Sequence, residues 1–145
     1  MKHITIELKH TPTEPSPMYL GIAVGLNSFH FPGCTLPAWD RSYIWICKVD
    51  GKIAGFATLR QVWGEKYGYL ERVAVLKEFR GNGIQKSFID IRMRYAKRLG
   101  WKGVLTYTTA DNYPSINSLM HRGFSIYSPE YAWSGREMLY FKKEF

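Results

Sequence analysis

The stretch Arg80-Gly81-Asn82-Gly83-Ile84-Gln85 places a cation and two glycines where a strand-like run gives way to a helix-like one. A turn of this kind can hold phosphate. The first turn of a helix leaves backbone N–H groups unpaired and carries about half a positive charge. Glycine lets an anion approach the backbone closely, and each charge-assisted hydrogen bond contributes roughly 1.5–3 kcal/mol. Counting Lys86 in the same turn of helix, the expected diphosphate contacts are Arg80, Gly81, Asn82, Gly83, Ile84, Gln85 and Lys86. Two other phosphate loops fail on spacing. The dinucleotide fingerprint needs a third glycine where Lys86 stands, and a Walker Gly-Lys-Ser/Thr is absent. Glycines here could also do no more than bend the chain.

The elements around the turn must aim it. Residues 2–9 alternate as a strand, and the prolines at 12, 15 and 17 make residues 11–17 a loop. A helix follows over 18–29, then a loop or short helical turn over 31–40. Asp50-Gly51 is a strong hairpin signal between strands at 43–49 and 52–60, and a third strand spans 69–76. From Ile84 the apolar residues Phe88, Ile91, Tyr95 and Leu99 recur with helical period, and Gly100 stands where a helix ends. A strand at 104–108, a helix at 114–121 and strands at 124–127 and 138–142 complete the chain. The expected fold is mixed α/β (α+β), a mainly antiparallel central sheet flanked by helices, in the order β-α-(α)-β-β-β-α-β-α-β-β.

The 145 residues fit one domain, which at this size buries roughly 68–70% of its unfolded surface. No apolar run approaches the ~20 residues of a membrane span, and Met1 to Glu7 alternates without the apolar block of a secretory signal. Cytoplasmic location is the natural reading, with no membrane partner. Cys34 and Cys47 are too few for a disulfide framework, and no two of the four histidines have the spacing of a helical metal pair, so no metal is expected. A net charge of +8 suits a polyanion, which nucleic acid or coenzyme A would satisfy. The basic residues are spread along the chain, and the densest group, Arg92, Arg94, Lys97 and Arg98, reads as the solvated face of one helix. Nucleic acid is not expected.

The segment Arg80-Gly81-Asn82-Gly83-Ile84 resembles motif A of the GCN5-related N-acetyltransferases, written Gln/Arg-x-x-Gly-x-Gly/Ala, with Gln85 at the last position. Val73-Ala74-Val75 is similar to that family's splayed strand, and the run from Asn112 through Ser115 to Gly123-Phe124 resembles its motif B. The element order is similar as well. The resemblance implies one N-acetyltransferase domain over residues 1–145 that moves an acetyl group from acetyl-CoA to an amine by direct attack on the thioester. It implies that the backbone of Val73, Ala74 and Val75 pairs with the pantetheine arm and that the Asn112 side chain reaches the pantetheine amides. Asn112 or Ser115 could also simply cap the helix that starts there. The resemblance leaves open a non-catalytic module that binds or senses acyl-CoA.

Acetyl transfer requires a neutral amine. An amine of pKa ~10.4 is neutral in roughly one molecule in 2500 at pH 7, a penalty of about 4.6 kcal/mol, so a base contributes substantially. Glu71 is the candidate, on the expectation that it shares strand parity with Val73 and Val75. An ion pair with a neighbouring arginine is an equal alternative for it. The family's motif B often carries a tyrosine, seven residues after the asparagine, as general acid; here that position is Leu119, and Tyr113, Ser118 and Tyr107 are the nearby hydroxyls. A thiol of pKa ~8.5 leaves tolerably without one.

Aromatics gather at Trp39, Tyr43 and Trp45, at Trp63, Tyr67 and Tyr69, and at Tyr127, Tyr131 and Trp133. Most suit core packing, and some could wall a pocket for the acceptor amine, whose identity the sequence does not fix. A last strand carrying Tyr140 and Phe141, with Phe145 beyond it, could pair across a homodimer.

Overall fold

The computed structural model describes residues 2–32, 41–62 and 66–145. Along these residues run β1 (Ile4–His10), α1 (Pro17–His30), β2 (Ser42–Val49), β3 (Lys52–Gln61), β4 (Tyr67–Val75), a 3₁₀ turn (Lys77–Phe79), α2 (Ile84–Arg98), β5 (Gly103–Thr109), α3 (Tyr113–His121), β6 (Ser125–Tyr127) and β7 (Met138–Glu144). The order agrees with the sequence reading; the optional short helix falls mostly on 33–40, outside the described residues. Pro17 is not loop but the first residue of α1. Its missing N–H costs nothing at that position, and the Ser16 hydroxyl before it accepts from the Tyr19 N–H.

The strands form one sheet in the order β1-β2-β3-β4-β5-β7-β6, antiparallel at each junction except β4–β5. Asp50 and Gly51, with φ of 50° and 81°, make the tight β2–β3 turn. On one face α2 and α3 cover Leu59, Leu70, Val75, Val104 and Phe141. On the other, α1 covers Ile44, Ile46, Phe56 and Ala74.

Two departures from regularity shape the site. The parallel strands β4 and β5 pair only at Tyr67↔Gly103, Gly68↔Val104 and Tyr69↔Leu105. Beyond Tyr69 they part, and a wedge-shaped cleft opens between Leu70–Val75 and Thr106–Thr109. In addition, β4 carries a bulge. Its register with β3 moves from Leu59↔Leu70 to Ala57↔Val73, so β4 spends an extra residue at Glu71–Arg72 opposite Thr58. The Thr58 hydroxyl accepts from the Arg72 N–H at 3.0 Å and satisfies a backbone group that the bulge removes from the ladder.

β7 lies between β5 and β6, so over Tyr140–Lys142 both of its backbone edges are occupied. Pairing of this strand at Tyr140 and Phe141 across a dimer is therefore not available, because the N–H and C=O groups it would need are already bonded within the chain.

Candidate active site

Gly81 and Gly83 adopt φ of +82° and +73°, and Gly83 sits as the left-handed cap before α2. A Cβ at either position would meet nothing within 4 Å, so open space lies over the turn. Only glycine takes this conformation without strain. Beside it lies a cavity of about 580 Å³ lined by Val73, Ala74, Val75, Phe79, Arg80, Gly81 and Gly83 through Lys86, closed on the far side by Pro114 and Ser118. The Arg80 guanidinium donates to the Val75 carbonyl at 3.0 Å, which fixes the turn to the end of β4.

Not every residue of the turn faces this space. Asn82 donates through Nδ2 to the Phe79 carbonyl at 2.9 Å, so its side chain holds the turn together. Ile84 is buried in the core; only its backbone can serve a ligand. Gln85, where the family has a small residue, lines this cavity and the next.

The cleft between β4 and β5 holds a second cavity of about 300 Å³. Glu71, Arg72 and Val73 line it from β4, Thr106 to Thr109 from β5, Ile89 and Arg92 from α2, and Asn112, Ser115 and Leu119 from α3. Asn112 is the cap of α3, its Oδ1 accepting from Ser115 N at 3.3 Å, and it borders the cleft as well. Leu119 is buried. Of the hydroxyls, Tyr107 lines the cleft and Ser118 the larger cavity, with Ser118 Oγ buried and unpartnered among the described residues, while Tyr113 is exposed.

Glu71 lines the cleft, but not for the reason its spacing suggested. The bulge breaks the parity: Leu70, Val73 and Val75 share the α2 face, while the Glu71 carboxylate turns to Arg60. Arg60 Nη2 donates to Glu71 Oε1 at 3.2 Å. The Glu71 side chain is only 5% exposed, and its Oε2 is buried with no partner among the described residues. Burial pushes the carboxyl above its ordinary pKa, and the Arg60 and Arg72 guanidiniums pull it partly back. The ion pair and the place in the cleft are both real.

Arg92 was hidden in the sequence. It belongs not to a solvated face but to the buried stripe Ile84, Phe88, Arg92 and Ala96, each four residues from the last. It is 2% exposed, with Nε on the Phe88 carbonyl at 3.0 Å and Nη1 on the Thr58 carbonyl at 2.9 Å. The regular step of four from Phe88 is the signal that could have found it.

A third cavity, of about 660 Å³, lies past the closed end of the cleft, walled by Tyr67, Tyr69, Tyr127, Tyr131 and Trp133 with Arg60 among them. The Trp133 ring lies 5.0 Å from Tyr69, 5.3 Å from Tyr107 and 5.0 Å from Tyr140. The Tyr140 hydroxyl donates to the Gly135 carbonyl and accepts from Ser134 N–H, which pins the β6–β7 loop over the sheet. Tyr43 and Trp45 do not join this wall; both pack on Tyr95 of α2. Trp39 and Trp63 lie outside the described residues. Among the described residues no group of His, Cys, Asp or Glu could hold a metal ion, and no helix is long and apolar enough to cross a membrane.

Residues 16–124 match the model of the acetyltransferase (GNAT) family. Over 94 residues the chain is 27% identical to a mycothiol acetyltransferase of Streptomyces bingchenggensis, a match covering 65% of this chain and 30% of that protein. It resembles the crystal structure of a Bacillus anthracis protein assigned as a streptothricin acetyltransferase, in complex with acetyl coenzyme A, with a TM-score of 0.61 and 24% identity over 72% of this chain and 64% of the other. It also resembles a Bacillus subtilis acetyltransferase in complex with CoA, with a TM-score of 0.70 and 15% identity over 99% of both chains. The chain thus spans less than a third of the first of these proteins and under two thirds of the second.

Proposed function

The chain belongs to the acetyltransferase (GNAT) family, and from that premise we propose that it transfers an acetyl group from acetyl-CoA to an amine, working as one N-acetyltransferase domain. The observation that carries this reading is the continuity of the turn with the cleft. Two positive-φ glycines open the cavity at the start of α2, and that cavity runs along Val73–Val75 and adjoins the cleft between β4 and β5, with Phe31, Val73 and Gln85 lining both. The fit is chemical as well as spatial. Free N–H groups at the opening of α2, together with Arg80 and Lys86, suit a diphosphate. The edge of β4 beyond Tyr69 is unpaired on the β5 side and suits an amide-bearing arm. The two relatives solved with CoA or acetyl-CoA support the same assignment.

In this reading Arg80, the amides from Gly81 to Gln85, and Lys86 hold the diphosphate, while Asn82 braces the turn. The backbone of Val73, Ala74 and Val75 holds the pantetheine arm, with Asn112 and Ser115 on the opposite wall. A bound acetyl thioester supplies the electrophilic carbonyl that a neutral amine attacks; the C–N bond forms as the C–S bond breaks, and CoA leaves as a thiolate that takes its proton from solvent. Glu71 takes the amine's proton at Oε2, the oxygen that Arg60 leaves unpartnered. Burial raises its basicity toward the working pH, where a general base is most effective. The aromatic cavity beyond Arg60 receives the acceptor.

The test is thiol release from acetyl-CoA across a panel of primary amines, paired with calorimetry of CoA binding. Turnover with at least one amine and measurable CoA binding are expected. CoA binding without turnover on any amine would leave a binding module, and absence of both would remove the reading.

A further inference from the structure

Resting on the proposed CoA site, we infer that the closed end of the cleft accepts, besides acetyl, an acyl group ending in a carboxylate, with Arg92 as the residue that recognises it.

Arg92 Nη1 holds the carbonyl of Thr58, the residue opposite the β4 bulge. The neighbouring Thr106 hydroxyl donates to the Leu70 carbonyl at 3.1 Å. Leu70 and Thr106 are the first positions past the last β4–β5 pair, Tyr69↔Leu105. Arg92 and Thr106 therefore line the cleft at its closed end. The diphosphate cradle is at the open end, past Val75. A thioester anchored there and lying along β4 points its acyl group at Arg92.

An acetyl group needs no cation in that place. A buried charge is costly unless it is paired, and an alkyl floor would pack a methyl better. Arg92 nevertheless stands in the buried stripe of α2 with two neutral carbonyls as its hydrogen-bond acceptors and no carboxylate ion pair among the described residues. Its pKa, pushed down by burial to about 9, still leaves it charged at neutral pH.

The charge of the whole lining has the same sign. Arg72 and Arg92 both line the cleft, and its one carboxylate, Glu71, is already held by Arg60. The balance is cationic, which suits a carboxylate at the acyl terminus and gives an uncharged chain of the same length no counterpart. A planar guanidinium is the group that binds carboxylate best, and Arg92 Nη2 is the nitrogen not engaged by the Phe88 and Thr58 carbonyls.

Calorimetry of the full chain without amine tests this, with CoA, butyryl-CoA and succinyl-CoA as probes. Butyryl and succinyl have the same chain length and differ in the terminal carboxylate. Succinyl-CoA is expected to bind at least about tenfold more tightly than butyryl-CoA, the worth of one charge-assisted pair. In Arg92→Met, checked for folding by circular dichroism, that ratio should collapse to about one. CoA and butyryl-CoA binding with no preference for succinyl-CoA would overturn this inference alone. So would a preference that survives in Arg92→Met. Should that variant not fold, Arg72→Met decides: a wild-type preference retained there leaves the carboxylate to Arg92, and a preference lost there overturns the inference. Absence of binding by CoA itself would remove the cofactor site and this inference with it.

Discussion

Arg60 and Glu71 meet across β3 and β4 through a single contact, Nη2 to Oε1 at 3.2 Å, which leaves both Arg60 Nε and Glu71 Oε2 buried and unpartnered among the described residues. A bidentate pairing would satisfy more of these atoms. The end-on geometry exists because the bulge displaces Glu71 along β4 relative to its neighbours on β3. It also places the pair between two cavities, with Glu71 lining the cleft and Arg60 lining the aromatic cavity. In the proposed reaction an amine arriving from the aromatic side meets the free oxygen of Glu71 at this junction.

Replacing Arg60 with Met should therefore change the pH dependence of the reaction. Burial raises the Glu71 pKa and Arg60 opposes that rise. Removing the guanidinium leaves burial less opposed, so the carboxylate takes up its proton at higher pH. The acid limb of kcat/KM should move to higher pH in Arg60→Met and move less in Arg60→Lys. Glu71→Gln should lower kcat by about 10²–10⁴-fold, the usual worth of a general base. An acid limb that stays in place in Arg60→Met would show that Glu71 is not the titrating base.

The turn before α2 offers a test in which stability and binding separate. Alanine at Gly81 or Gly83 meets open space, so the cost to the fold is the positive φ alone, about 1–2 kcal/mol. That same open space is where the diphosphate sits in the proposed complex. CoA affinity should fall by about tenfold or more, a loss equivalent to one charge-assisted hydrogen bond. Thermal melts give the first quantity and calorimetry the second. A drop in stability with unchanged CoA affinity would confine both glycines to shaping the chain.

Much of this arrangement was legible in the sequence, because it rests on local signals. The Asp50-Gly51 hairpin, the glycine turn, the helical period from Ile84 and the element order all depend on residues close together in the chain. What escaped was decided at a distance. The face on which Glu71 lies depends on a bulge fixed by Thr58, fourteen residues from Arg72, and alternation along β4 alone cannot register it. Arg92 stands in the sequence among basic neighbours, although its spacing from Phe88 and Ala96 puts it inside. The aromatic wall combines β4, β6 and the β6–β7 loop, so its members could be noted but not assembled. Tyr43 and Trp45, equally aromatic, turned out to pack on α2.

Asn112 has two jobs in the proposed site, and a graded substitution can separate them. Its Oδ1 caps α3 by accepting from Ser115 N. Asn112→Ala should cost about 1 kcal/mol of stability and weaken CoA binding. Asn112→Ser retains a capping oxygen on a shorter side chain, so it should keep most of the stability while CoA affinity still falls. If serine restores both, the residue acts on the cofactor only through the helix it caps.

Trp133 tests the acceptor side independently of the cofactor. It contacts Tyr69, Tyr107 and Tyr140 and lines the aromatic cavity, but it lines neither the diphosphate cavity nor the cleft. Trp133→Ala should raise KM for any amine that is turned over and leave the CoA dissociation constant unchanged. Loss of the ring contacts should also cost stability, about 0.5–1.5 kcal/mol for each aromatic pair beyond area burial. The effect on KM must then be told apart from loosening of the β6–β7 loop. Tyr140→Phe supplies that control, since it removes the hydroxyl that pins the loop at Ser134 and Gly135 while leaving the Trp133 ring in place. A raised KM in Trp133→Ala with little change in Tyr140→Phe would assign acceptor binding to the ring itself. Equal changes in both would assign it to the ordering of the loop, and no change in either would place the amine elsewhere.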